Sequence, residues 1–262
     1  MTILDKIVAD KREEVAAAAR RVPQKDLLHL IADTPWVARG FEKRLAAPGP
    51  GGVNIIAEVK RASPSKGDIR ADLDAALCAR QYEQGGAAAI SVLTDESYFK
   101  GRLEDLVRVR ETVSLPVLRK EFIISTYQVY ESRAAGADAL LLIVRILSTG
   151  ALNELLDLTR TLGMDALVEI HAPDEYDLAR QAGARLIGIN NRNLATFDTC
   201  LTTAATMSAL LAPGEIPVAA SGIGSRADIE DSLQAGIFNF LIGESLVRSE
   251  DRVHFLRGLI FG

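Results

Sequence analysis

Metal and disulfide chemistry have little to work with in this chain. Two cysteines and three histidines are spread over 262 residues. Cys78 and Cys200 lie far apart with no CxxC spacing, and His29, His171 and His254 show no metal-ligand spacing, so no zinc site or disulfide framework is expected. The cysteines read as small core or helix-surface residues in a reducing compartment. Positive charge is not in excess either: 30 Lys and Arg stand against 35 Asp and Glu, a net charge of −5. Nucleic acid is therefore not an expected partner, and any local cluster of cations answers to a small anion. The longest strongly apolar run, Ala139–Val144, is far too short to span a bilayer. The first helix carries Asp5, Lys6, Asp10, Lys11 and Arg12 where a signal peptide would need an apolar stretch. These absences together predict a soluble, cytoplasmic protein with no membrane partner.

What is present is a regular alternation. Apolar strand candidates fall at Val53–Val59, Ala87–Leu93, Pro116–Arg119, Ala137–Val144, Ala166–Ile170, Leu186–Asn190, Ile216–Ala220 and Phe238–Ile242. Helical patterns separate them, at Asp72–Gln84, Leu103–Thr112, Thr126–Ala135, Ala151–Leu162, Pro173–Gln181, Ala204–Leu211 and Arg226–Gln234. Continuous apolar runs are the mark of parallel strands buried on both faces. Eight of them joined by helices predict a closed (β/α)8 TIM barrel, an α/β fold in a single domain of 1–262. A doubly wound open sheet is the alternative, but no GxGxxG follows the first strand. The second, fourth, sixth and eighth strands each follow a glycine at a helix end (Gly85-Gly86, Gly136, Gly183, Gly236), a faint repeat consistent with βαβα quarters. Ahead of the barrel core (53–248) runs a helical extension (1–47), broken at Pro23 and ended by Pro48-Gly49-Pro50-Gly51-Gly52; a C-terminal segment (249–262) follows. The extension reads as packing, as a lid, or as a plug at the barrel bottom.

Function in such a barrel gathers at the C-terminal ends of strands. The stretch IIAEVKRASPSKGD (55–68) ends the first strand with Glu58 and Lys60, two residues apart and so on one face, followed by a loop of cations, hydroxyls and turn formers. A salt-bridged edge strand with a solvated turn is the bland alternative. The third strand ends in Arg119-Lys120-Glu121-Phe122, the fifth in Glu169 and His171, the sixth in Asn190-Asn191-Arg192-Asn193. Lys120 fits a general acid, a Schiff-base nucleophile, an anion ligand or a lysine reaching for solvent. Glu169, after Ala166-Leu167-Val168, is a buried carboxylate in need of a cation, with Lys120 or Lys60 as candidates. His171, one step further out on the same face, reads as loop structure. Glycine-bearing turns after the seventh strand (Ser221-Gly222-Ile223-Gly224) and the eighth (Gly243-Glu244-Ser245), each leading into a helix, read as a phosphate site.

These segments jointly resemble the indole-3-glycerol phosphate synthase family. The resemblance is carried by IIAEVKRASPSKG (55–67), SVLTDESYFKG (91–101), PVLRKEFII (116–124), ALLLIVRIL (139–147), LVEIH (167–171), IGINNRNL (187–194), ASGI (220–223) and LIGESL (241–246), and it covers nearly the whole chain. It implies a carboxy-lyase of tryptophan biosynthesis that turns 1-(2-carboxyphenylamino)-1-deoxyribulose 5-phosphate into indole-3-glycerol phosphate, releasing CO2 and water without metal or cofactor. By resemblance, Lys120 is the general acid and Glu169 the carboxylate that assists proton removal and dehydration. Glu58 and Lys60 handle later proton transfers, with Lys60 also near the substrate carboxylate. Asn190 and Arg192 hold the sugar chain and carboxylate, and Phe122 walls the anthranilate ring. Ser63, Ser221, Gly222, Gly243 and Glu244 line the polar and phosphate end. The implied partner is one small phosphorylated molecule, and the chain is expected to be a monomer; association with other enzymes of the pathway stays open. Phosphoribosylanthranilate isomerase is the rival enzyme, but it would place a cysteine early in the first strand. One residue departs from the pattern: the family usually carries Glu where Ala220 stands, which bears on the strength of substrate binding more than on the reaction. A ligand-binding barrel without catalysis is the reading that this departure alone suggests.

Overall fold

The computed structural model describes residues 2–34, 36–193 and 198–262; Met1 and Pro35 of the extension and Leu194 of the stretch 187–194 lie outside the described residues. The extension comes first, as α1 (Ile3–Arg21), α2 (Gln24–Asp33) and α3 (Phe41–Leu45). Thr2 and Asp5 form a capping box that starts α1, satisfying N–H groups that a helix end leaves open.

The barrel follows as β1 (Asn54–Val59), a hairpin of β2 (Ala62–Ser63) and β3 (Gly67–Asp68), α4 (Ala75–Gly85), β4 (Ala89–Leu93), α5 (Glu96–Phe99), α6 (Leu103–Thr112), β5 (Val117–Lys120), α7 (Thr126–Ala134), β6 (Ala139–Ile143), α8 (Thr149–Thr161), β7 (Asp165–Ile170), α9 (Pro173–Gln181), β8 (Leu186–Asn190), α10 (Thr202–Ser208), β9 (Ile216–Ala220), α11 (Arg226–Gln234), β10 (Asn239–Ile242), α12 (Glu244–Arg248) and α13 (Arg252–Phe261). The strands β1 and β4 to β10 are parallel and close the barrel in the order β1-β10-β9-β8-β7-β6-β5-β4. All eight expected strands are present, with ends moved by no more than two residues. The short hairpin, α5 and α12 had no periodicity long enough to announce them.

Alternation along each strand feeds two apolar layers. Ile56, Leu118, Leu141, Leu167, Val218 and Leu241 fill the barrel interior. Ile55, Ile90, Val117, Leu140, Val168 and Phe240 face the helices. This double burial is why the strands read as continuous runs. It also sorts neighbouring charges: Arg119 turns outward, donating to Thr94, Ser132, the Gln128 carbonyl and Glu131, so it leaves the polar ring at the mouth to Lys120. The glycine caps are left-handed as expected at Gly86, Gly136, Gly183 and Gly236. Gly163, ahead of the fifth barrel strand, is left-handed too, so the cap does not mark alternate units only.

The extension acts at both ends of the barrel. Phe41 and Leu45 of α3 are fully buried in the interior layer, plugging the bottom. Asp138 accepts from the Arg39 N–H, Asp165 from the Glu42 N–H, and the Asn54 and Asn239 amides donate to the Ala47 and Leu45 carbonyls. At the other end, Ile3, Leu4 and Ile7 of α1 overhang the mouth. Of the readings left open by sequence, α3 fits the plug, and α1 stands where a lid would.

Candidate active site

The mouth encloses a cavity of about 430 Å³ that collects residues from most of the barrel strands. Glu58, Lys60, Lys120 and Glu169 all line it, so the expected polar ring converges on one site. Its members are paired. Lys60 Nζ lies 2.6 Å from Glu58 Oε1, and Lys120 Nζ lies 3.6 Å from Glu169 Oε2. Of the two cations considered for Glu169, the structure therefore chooses Lys120. Glu169 also accepts a hydrogen bond of 3.1 Å from the Asn190 amide. Burial pushes the Glu169 carboxyl up, but Lys120, His171 and Asn190 together outweigh it and hold the group below its ordinary value. An ionised carboxylate thus sits beside an ammonium deep in an apolar-walled cleft.

Gly243 has a steric reason to be glycine. A Cβ there would run into the Glu58 carboxylate, so the turn after β10 lets that acid stand in the mouth. Gly222 is left-handed, and a Cβ on it would strike the Thr199 side chain. Ser221 before it is also left-handed, at φ 70°, a conformation that non-glycine residues rarely adopt. Together Ser221, Gly222, Gly243, Glu244 and Ser245 form one rim of the cavity.

The helices near that rim differ from expectation. After β9 the helix begins only at Arg226, and its Ser225–Asp228 capping box already occupies the Gly224 and Ser225 N–H groups. After β10, α12 does follow directly. The Glu244 carboxylate is committed to Arg248 at 3.1 Å, so Glu244 can offer an anion only its backbone. Arg248, which sequence reasoning missed, puts a guanidinium on the same rim. Its signal was the i,i+4 spacing from Glu244.

Ser63, Phe122, Asn190 and Arg192 also line the cavity. Phe122 is joined by Phe99, ring centroids 6.1 Å apart, a second aromatic wall that was not singled out. Arg192 donates to Ser65 at 3.0 Å, so the hairpin loop is tied across the mouth to the end of β8. Asn191 does not reach the cavity; its amide donates to the Ser221 carbonyl and accepts from the Ala204 N–H, fixing the turn from behind.

His171 lies in the loop between β7 and α9, in keeping with its reading as loop structure, with its side chain buried there. Its side chain is only 4% exposed and lies between two carboxylates, Nε2 3.4 Å from Glu169 Oε1 and Nδ1 3.2 Å from Glu175 Oε2. The i,i+2 step from Glu169 keeps both on one face.

The lid is held by charge. Lys11 of α1, buried, places Nζ 2.8 Å from Asp95, 3.0 Å from Glu121 and 2.6 Å from Glu14. Burial pushes the Lys11 ammonium down, but Glu121 and Asp95 more than offset it and raise it above its ordinary value. Asp95 itself is pushed up by burial and by the like charge of Glu121.

This geometry can be set beside known proteins. A family model for indole-3-glycerol phosphate synthase matches residues 4–259. The chain belongs to the indole-3-glycerol phosphate synthase family. Among curated relatives, the indole-3-glycerol phosphate synthase of Desulfosudis oleivorans is 57% identical over 258 residues, covering 98% of both chains. That of Syntrophobacter fumaroxidans is 49% identical over 248 residues, covering 95% of this chain and 93% of the relative. Family membership makes this chain a carboxy-lyase of tryptophan biosynthesis, and the isomerase reading gives way. Among solved structures, 3-hexulose-6-phosphate synthase from Salmonella typhimurium matches with a TM-score of 0.65 at 14% identity, covering 79% of this chain and 96% of that one. Thiamine phosphate pyrophosphorylase from Pyrococcus furiosus matches with a TM-score of 0.62 at 14% identity, covering 83% and 95%. Those two likenesses bear on the barrel alone. Among the described residues, no helix is long and apolar enough to cross a membrane.

Proposed function

We propose that the cavity closes the indole ring of 1-(2-carboxyphenylamino)-1-deoxyribulose 5-phosphate through Lys120 and Glu169. Lys120 delivers a proton to the ketone oxygen as the aromatic carbon attacks the carbonyl carbon. The C–CO2 bond then breaks and returns its electron pair to the ring. The new hydroxyl takes a second proton and leaves as water, while Glu169 removes a proton from the carbon beside nitrogen. Its negative charge also stabilises the cationic character that nitrogen acquires as the hydroxyl departs. Glu58 and Lys60 serve the later proton transfers, with Lys60 facing the substrate carboxylate.

Phe122 and Phe99 wall the aromatic ring, and their apolar surface favours departure of CO2 and water. Asn190 and Arg192 hold the sugar chain and the carboxylate. Ser63, Ser221 and the backbone of Gly222, Gly243 and Glu244 receive the phosphate, with Arg248 supplying charge. The observation that carries this reading is the Lys120–Glu169 pair, an acid and a carboxylate 3.6 Å apart inside an apolar-walled cavity. The test is to incubate the purified chain with that substrate and follow indole fluorescence. No product at saturating substrate would overturn the assignment.

A further inference from the structure

Turnover needs a proton that the pocket itself does not hold. Written with the substrate carboxylate ionised, two protons go onto the departing oxygen and one comes off carbon. Each cycle therefore draws one proton from solvent. Glu169 itself is buried, with Ile3, Leu4 and Ile7 of α1 lining the mouth above it, so a route from behind would reach this carboxylate without crossing the cavity.

Behind Glu169 runs a line of polar groups that the proposed chemistry does not use. Glu169 Oε1 faces His171 Nε2 at 3.4 Å, His171 Nδ1 faces Glu175 Oε2 at 3.2 Å, and Glu175 Oε1 accepts from Arg145 Nε at 2.6 Å. The line leads from β7 through α9 towards the surface, where the Arg145 side chain is 36% exposed. Glu175 Oε2 also accepts from the His171 backbone N–H at 2.7 Å, which holds that carboxylate oxygen against Nδ1 of the ring. The imidazole then turns its second nitrogen to a carboxylate oxygen, and Nε2 has no aligned hydrogen-bond partner. The imidazole stands between two carboxylates, one facing each ring nitrogen, at distances across which a proton can pass. The Glu169–His171 contact is thus built to carry one exchangeable proton. Burial pushes the Glu175 carboxyl up, but His171 and Arg145 together hold it below its ordinary value, so it presents an anion to the imidazole.

We propose that His171 relays protons between Glu169 and Glu175, resupplying the site from behind. A proton arriving at Glu175 from solvent is passed to Nδ1 while Nε2 releases its own to Glu169. Glu169 hands it on to Lys120, and the imidazole returns to its starting tautomer by rotation or by back-exchange between cycles. No electrons move and no bond other than N–H and O–H changes.

The relay rests on the roles given above to Lys120 and Glu169, and the test separates the two. His171→Asn keeps an N–H towards Glu175 but cannot shuttle a proton. Its kcat is expected to fall by about tenfold to a hundredfold, the span of losing one proton-transfer group, with KM little changed. Added imidazole is expected to restore the rate in a saturating manner, which a merely structural loss would not permit. Glu175→Gln, at the outer end and away from substrate, is expected to show the same buffer-restorable loss and guards against misfolding of the first variant. Unchanged kcat in both variants, or losses that no small buffer restores, overturns the relay. Lys120→Met measured alongside decides the other matter: if it turns over normally, the acid assignment has failed; if it is inactive while His171→Asn is normal, only the relay has.

Discussion

The two ends of the barrel are closed by one N-terminal extension, in opposite ways. At the bottom, α3 sinks Phe41 and Leu45 into the interior layer, and the buried amide and carboxylate groups around them find partners in Asp138, Asp165, Asn54 and Asn239. At the mouth, α1 is pinned from its edge by Lys11 on Asp95 and Glu121 and by Lys6 and Asp10 on Tyr98, while its apolar residues overhang open space. One end is filled by interlocking apolar side chains; the other opens into a cavity of about 430 Å³ over two ion pairs. Apolar side chains interlock at one end, and paired charges face a cleft at the other.

The sharpest way to break that contrast is to damage each end and read both activity and stability. Lys120→Met should lower kcat by about 10²- to 10⁴-fold through loss of general-acid catalysis, with a much smaller change in the urea midpoint. Phe41→Ala should do the reverse: it should cost about 3–5 kcal/mol of stability in urea unfolding, with kcat per folded molecule little changed. Equal kinetic damage from both would show that plug and site are not separable. A second cut is Lys11→Met, which leaves Asp95, Glu121 and Glu14 facing one another without their cation. Removing one member of a buried pair costs about 3–5 kcal/mol. Here the cost falls on α1, so hydrogen exchange should quicken there first. If as little as 1.4 kcal/mol of it reaches the substrate complex, KM rises about tenfold. An unchanged exchange pattern in α1 would remove Lys11 from the lid.

The same contrast explains what sequence could and could not show. Interior and helix-facing layers both demand apolar side chains, so every barrel strand announced itself as a run, and Glu58, Lys60, Lys120 and Glu169 stood out as charges breaking the runs at one end. What stayed hidden depends on partners distant in sequence. Lys11 looked like any solvated helix charge, since its three carboxylates lie up to 110 positions away. Arg119 and Lys120 are neighbours with opposite directions, and only strand register decided which one reached the mouth. The lid-or-plug choice was open because two helices of one segment do different things.

Acid separates the ends by sign. At the mouth, the folded Glu169 carboxyl is held below its ordinary value. Its contribution is present above the unfolded value of about 4.3 and is lost as pH falls through the lower folded value. At the bottom, burial pushes Asp138 up, and the Val117 N–H and Arg110 only partly offset it. Its contribution is present below the unfolded value of about 3.9 and is lost as pH rises through the higher folded one. Urea midpoints followed from neutral pH into that range should therefore fall less steeply in Glu169→Gln and more steeply in Asp138→Asn than in the parent. Parallel acid limbs in all three would show that neither carboxyl is perturbed as described.

The smallest expected effect concerns Ala220, which stands at the mouth where the resemblance implies a glutamate. Ala220 pairs in register with Asn190 on one side and Leu241 on the other, and it lines the cavity. A longer polar side chain there would project into the cavity, where the proposed substrate carries its amine. One such hydrogen bond is worth about 0.5–1.5 kcal/mol, so Ala220→Gln should lower KM by about twofold to tenfold, with kcat little changed. Ala220→Glu adds a second carboxylate beside Glu169, and like charge raises a neighbour's pKa. If the cavity is as closed as the structure makes it, the Glu variant should gain the same KM and also move the acid limb of its rate profile upward, which the Gln variant should not. Should neither substitution lower KM, the amine is held by groups already present, Asn190 first among them, and the missing carboxylate costs this enzyme nothing in binding.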